Sequence, residues 1–130
     1  MKLDDKIHVL ENFISLDQLK RIRTTIENGG WKPHQSTHEG NEFLNMDVTN
    51  DPYYNTELFN HIKEKINPDL KLGRVYFNGQ YFGQDGSFHI DDDEEKNKTV
   101  IIYTNKVYSW GWGGFTEFIN TEVGEHKLIA

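Results

Sequence analysis

Beyond Pro68 the chain is cut into short apolar and aromatic runs by clusters of Gly, Asn and Asp, and this punctuation narrows what it can fold into. Segments 70–78, 80–83, 87–91, 98–104, 115–119 and 126–129 have the length of strands and are too short for independent helices. Before Pro68 the period is different. Leu16, Leu19, Ile22 and Ile26 recur at helical spacing, with Lys20, Arg21 and Arg23 mostly on the other face. Ser15 and Gln18 make a capping-box pattern at the start of that helix, and Gly29-Gly30 makes a stop. A second helix is expected from near Asn55, with Leu58, Phe59, Ile62 and Ile66 as its apolar stripe and Asn67-Pro68 as its end. Residues 6–14 suit a first strand and a turn. In the irregular or strand-like stretch 31–54, Trp31, Phe43 and Met46 are candidate core anchors. Two helices ahead of a strand-rich half predict a mainly β chain with N-terminal helices, an α+β arrangement with the helices outside a sandwich or barrel. The length of 130 residues, without repeat or linker, predicts one domain over 1–130, helical to about residue 69 and sheet-forming from about residue 70.

Aromatic residues are plentiful at 13%, which suits a half-buried pleated surface. The formal net charge of -7 repels phosphate backbones, so a nucleic-acid scaffold role is not expected. Without cysteine there is no disulfide framework, thiolate metal site or cysteine nucleophile. The N-terminus carries no apolar signal core, and no run of about 20 apolar residues occurs. A soluble, cytoplasmic protein without a membrane role is the expectation.

The chemistry is concentrated in residues 74–118, and its centre is His89-Ile90-Asp91. On a strand, residues i and i+2 share a face, so an imidazole and a carboxylate would project side by side. With one more histidine such a pair makes the two-His-one-carboxylate facial triad, which leaves coordination positions open and suits iron(II). A bland alternative is a surface histidine beside a solvated acidic turn, Asp91-Asp92-Asp93-Glu94-Glu95. A calcium loop is a third reading, though the glycine and terminal glutamate of an EF-hand are missing.

The surroundings of the pair add to it. The turn Gly83-Gln84-Asp85-Gly86-Ser87-Phe88 delivers His89, and an acidic loop leads to the apolar run Thr99–Asn105. A turn, Trp110-Gly111-Trp112-Gly113-Gly114, then precedes Phe115-Thr116-Glu117-Phe118. In this order and spacing the segment resembles the prolyl-4-hydroxylase-like branch of the 2-oxoglutarate/iron(II) dioxygenases. The resemblance implies a double-stranded β-helix (jelly-roll) core, with Fe(II) as the metal, 2-oxoglutarate as co-substrate and ascorbate as an accessory reductant. His89 and Asp91 match the first two metal ligands. Tyr103 matches a position facing 2-oxoglutarate, beside the alternative of a tyrosine packed in the core, and Tyr81 is a second candidate for that role. Trp110, Trp112 and Gly113-Gly114 are better read as a structural turn, Phe115 stands where many relatives carry an acidic residue, and Arg74 is a candidate substrate contact that on the simpler reading is an exposed strand residue. The implied activity is hydroxylation of a small-molecule or peptide substrate, chosen by loops at about 32–50 and 92–97.

The family's distal histidine and the Arg or Lys that pairs with the far carboxylate lie well beyond the Gly-Gly turn, and only sixteen residues follow Gly114. The expectation is therefore a jelly roll lacking its last strands, either an inactive fragment or, as the alternative, a complete short protein that has lost the catalytic half. His126 as substitute ligand together with Lys127 as anchor is disfavoured, since adjacent strand residues face opposite ways. Missing strands would expose a sheet edge and invite a homodimer. The alternative function is a non-catalytic jelly-roll ligand-binding module, with Tyr76, Tyr81, Trp110 and Trp112 holding a sugar or peptide.

Overall fold

A computed structural model describes residues 6–35, 42–84, 86–91, 93–94 and 96–129. Among the described residues the chain has a mixed α+β arrangement, with two helices and two small antiparallel sheets. Its contacts group it into two compact units. One comprises Met1–Thr25 with Ile90–Ala130, the other Ile26–His89.

Helix α1 spans Leu16–Glu27. Its start is the expected reciprocal cap. The Gln18 N–H donates to Ser15 Oγ at 3.1 Å, and the Ser15 N–H donates to Gln18 Oε1 at 2.7 Å. Both donors would otherwise be orphans of the first turn. The helix ends before Gly29 and Gly30, whose φ values of 86° and 91° are left-handed and unstrained only for glycine. Ile22 is its one buried side chain. Leu16, expected on the apolar stripe, is 77% exposed at the first helical position.

In the unit Ile26–His89, strands β1 (Lys32–Gln35), β2 (Glu42–Asp47) and β3 (Tyr76–Gly79) form a three-stranded sheet in the order β1-β2-β3. The second helix begins slightly earlier than expected. Asp51 starts it: its Oδ1 accepts the Tyr53 N–H at 2.9 Å, and its carbonyl accepts the N–H groups of Tyr54 and Asn55. Pro52 fits this first turn because it has no N–H to lose. A π-helical turn, Tyr53–Leu58, runs into α2, Phe59–Lys65, which stops ahead of Asn67-Pro68 as expected. The core of this unit is Met46, Val48, Tyr54 and Leu58, all buried. Met46 pairs with Phe77 across the sheet. The Tyr54 ring stands edge-on between Tyr53 at 5.0 Å and Phe77 at 5.5 Å, and Phe77 meets Trp31 at 6.2 Å. Trp31 donates its Nε1–H to the Ile26 carbonyl at 3.1 Å, which satisfies its polar end. Trp31 and Met46 thus serve as the expected anchors. A Cβ at Gly79 would stand 3.1 Å from the Trp31 ring, so the sheet and the indole approach through a glycine.

A polar clamp joins β2 to β3. Thr49 Oγ1 donates to the Val75 carbonyl at 3.1 Å and accepts the Val75 N–H at 3.0 Å. The Val48 N–H reaches the same carbonyl at 3.0 Å.

In the other unit, strands β4 (Thr116–Asn120) and β5 (Glu125–Ile129) form a two-stranded hairpin, with Thr116 opposite Ile129 and Phe118 opposite Lys127. They coincide with the expected runs 115–119 and 126–129. Arg23 of α1 donates to the Thr104 carbonyl at 3.0 Å and holds the apolar run 99–105 to the helix.

Several expected strands are absent. Residues 6–14, 80–83, 87–91 and 98–104 carry no ladder, and only the end of 70–78 is a strand. Apolar content alone does not make a strand, because each backbone N–H and C=O needs a partner across the sheet. Among the described residues these segments have no neighbouring strand, and the two sheets do not close into a barrel.

Candidate functional site

The segment that carries His89 is built from turns. The Tyr81 N–H donates to Gln84 Oε1 at 2.7 Å, and the Gln84 N–H returns to the Tyr81 carbonyl at 3.1 Å. Gly83 takes the left-handed conformation this reversal needs, with φ 85°. Gly86 lies against the Phe43 ring, where a Cβ would meet it at 3.5 Å. Phe88, His89, Ile90 and Asp91 are then all exposed and outside regular structure. The alternation expected of a strand is therefore not imposed on His89 and Asp91 by a ladder. His89 closes one compact unit and Asp91 belongs to the other.

One local contact orients the His89 ring. Its Nδ1 lies 3.0 Å from the Ser87 carbonyl oxygen. A carbonyl can only accept, so Nδ1 carries the hydrogen, and in the neutral ring Nε2 carries the lone pair. Metal-ligating histidines characteristically donate their second ring nitrogen to a carbonyl or carboxylate in this way. The donor types of His89 and Asp91 suit iron(II), whose facial triad takes two imidazoles and one carboxylate. Their number does not. Among the described residues no three His, Asp or Glu side chains stand together as a metal-holding group.

Of the two candidate co-substrate contacts, Tyr81 lies in the turn just described and is 67% exposed. Tyr103 is held. Its hydroxyl donates to Thr116 Oγ1 at 2.7 Å, and the Ile129 carbonyl lies 3.4 Å away. Tyr103 thus stitches the apolar run 99–105 to the end of the β4–β5 hairpin. A carboxylate arriving there would meet two adjacent hydroxyls. Thr116 was not singled out from the sequence, and its signal is only that Thr116 and Phe118 alternate with Glu117 on a strand.

The register also places the C-terminal candidates. Thr116, Phe118, Lys127 and Ile129 lie on one face of the hairpin, and Glu117, Ile119, His126 and Leu128 on the other. His126 Nδ1 stands 2.8 Å from Glu117 Oε1 on this second face. His126 and Lys127 point to opposite sides, as the strand period requires.

The Trp-rich turn is a single 3₁₀ turn, Trp110–Trp112, closed by the Trp112 N–H on the Ser109 carbonyl at 2.9 Å. Gly113 and Gly114 leave it at φ 71° and 75°. The Trp110 ring packs against Tyr108 at 5.9 Å and Phe115 at 5.6 Å. Trp110 and Trp112 remain 57% and 56% exposed.

Arg74 sits over the Tyr76 ring at 4.2 Å, near Asp47. The Thr49 backbone N–H donates to Asp47 Oδ1 at 2.8 Å and, with the Thr49 hydroxyl dipole and the Arg74 charge nearby, holds the Asp47 carboxyl below its ordinary range. Of the loops expected to choose a substrate, 32–50 is largely strand, since β1 and β2 occupy most of it. Residues 36–41, Asp92 and Glu95 lie outside the described residues.

Comparison with protein-family models, curated proteins and solved structures gives no match to the chain. No helix among the described residues is long and apolar enough to cross a membrane.

Proposed function

We propose that this chain is a domain of the non-haem Fe(II)- and 2-oxoglutarate-dependent dioxygenases of the prolyl-4-hydroxylase-like kind, with a jelly-roll core, acting in the cytoplasm on a small-molecule or peptide substrate. The observation that carries the proposal is His89 in its motif: a glycine turn delivers it, Asp91 follows two residues on, and its Nδ1–H is committed to the Ser87 carbonyl. Nε2 is then the nitrogen that presents a lone pair. Asp91 would add a carboxylate that balances metal charge. Tyr103, turning its hydroxyl away from Thr116, would donate to a carboxylate of 2-oxoglutarate, and the Thr116 hydroxyl beside it would add a second donor. When bound, the metal and co-substrate supply the oxygen chemistry, and the residues here hold and orient them.

The test is anaerobic titration of the chain with iron(II), with and without 2-oxoglutarate, read by the visible absorption of the chelated complex and by metal content after desalting. Weak iron binding and a 2-oxoglutarate-dependent band are expected, both lost in His89→Ala with Asp91→Ala while circular dichroism is unchanged. Iron retention equal in the double variant and the wild type would remove His89 and Asp91 from the proposal.

The exposed Trp110 and Trp112 favour a second reading, a non-catalytic module that stacks a sugar or peptide on these rings. Quenching of tryptophan fluorescence by such ligands, in a chain that never binds 2-oxoglutarate, would decide for it.

A further inference from the structure

Two Asn-Gly pairs occur in the chain, Asn28-Gly29 and Asn78-Gly79. An asparagine followed by glycine can cyclise, because no Cβ shields the glycine nitrogen from the asparagine side-chain carbonyl carbon. Cyclisation needs the backbone to rotate until that nitrogen meets Cγ. Both asparagines are exposed, so exposure does not separate the pairs. Confinement of the backbone does. Asn78-Gly79 lies in β3, in ladder register with Asn45 and Leu44 of β2. Asn45 Nδ2 donates to Asn78 Oδ1 at 3.2 Å. The Trp31 ring covers Gly79, where a Cβ would stand 3.1 Å from it. Asn28 instead follows the last residue of α1 and lies outside any strand. A Cβ built on Gly29 would meet nothing within 4 Å.

We propose that Asn28 is a site of spontaneous deamidation. The Gly29 nitrogen attacks Asn28 Cγ and forms a C–N bond. Its proton passes to water, and the side-chain nitrogen leaves as ammonia, which closes a succinimide ring. Water then opens either carbonyl of the ring, leaving aspartate, or isoaspartate when the main chain is rerouted through Cγ. The balance is amide plus water to carboxylic acid plus ammonia, with no oxidant or reductant. The location makes the change consequential. The new carboxylate stands at the C-terminal end of α1, where the helix dipole is negative, next to Glu27 in sequence and with no basic residue in the last turn. Isoaspartate also adds a methylene to the main chain. That extra length falls inside the loop that Trp31 closes by donating to the Ile26 carbonyl. The same loop seats Gly30 on the buried Met46, whose Sδ would lie 3.6 Å from a Cβ there. Deamidation at Asn28 thus loosens Trp31 and Met46, two anchors of this unit's core.

The test is ageing of the purified chain in mildly alkaline buffer, where loss of the Gly29 amide proton is favoured. Each Asn-Gly pair is followed by peptide mass mapping, and isoaspartate is counted with a carboxyl-methylating enzyme specific for it. In the folded chain the mass gain of NH replaced by O is expected at Asn28. Asn78 is expected to react at least about tenfold more slowly, because its strand must first open. In urea the two pairs are expected to react at similar rates, and Asn28→Gln is expected to stop the change at that position in either state. The aged fraction, separated by its added negative charge, is expected to melt at a lower temperature than the parent, with Asn28→Asp reproducing only the part due to charge. An Asn28 as slow as Asn78 in the folded chain overturns the proposal, and so does a folded chain modified first at another asparagine. An isoaspartate fraction that melts together with the parent overturns the effect on the core. These readouts involve no metal, so they stand apart from the iron titration above.

Discussion

The Thr49 clamp permits a sharp prediction. Replacing Thr49 with valine keeps the shape and removes one hydroxyl, which both donates to and accepts from Val75. The Val75 carbonyl keeps a partner, because the Val48 N–H also reaches it. The Val75 N–H does not, so the loss is one net hydrogen bond, about 1 kcal/mol, plus the penalty for a half-buried unsatisfied donor, about 1 kcal/mol at partial exposure. Thr49→Val should therefore cost about 2 kcal/mol, or a fall of roughly 6–10 °C in Tm for a chain of this size. Thr49→Ser, which keeps the hydroxyl, should lose less than half as much. The assay is urea and thermal unfolding followed by far-ultraviolet circular dichroism. A Thr49→Val chain within about 0.5 kcal/mol of the parent would refute the clamp, since a surface substitution alone reaches only that far.

Two further outcomes follow from local geometry. Ser15→Ala should destabilise by about 1 kcal/mol, and adding Gln18→Ala should cost less in that background than in the parent, because the two side chains complete one cap; strictly additive losses would break the box into independent residues. The Asp47 carboxyl is held below its ordinary range by Thr49, so its contribution is fully present above pH about 4 and is lost as pH falls through the lowered folded value. Asp47→Asn should be less stable than the parent at neutral pH and converge with it in acid, and a stability gap that stays constant from neutral to acid pH would contradict this.

What was legible in the sequence was local. The capping box at Ser15, the glycine stop at 29–30, the halt before Pro68 and the left-handed glycines beside Trp110 depend on neighbours within four or five residues, which the chain always has at hand. The candidate site was legible to the same depth. The spacing of His89 and Asp91 was visible, and the Ser87 carbonyl that sets the His89 tautomer lies two residues away. Strands over 87–91 and 98–104 were not legible in this sense, since a run of apolar residues needs another chain segment to complete its ladder. The Arg23 bond to Thr104, the Tyr103 bond to Thr116 and the pairing of His126 with Ile119 across the hairpin join residues apart in sequence or depend on strand register. Periodicity carries no information on such pairings. Only the tertiary structure decides them, because the free energy of a long-range contact depends on which segments fold against one another.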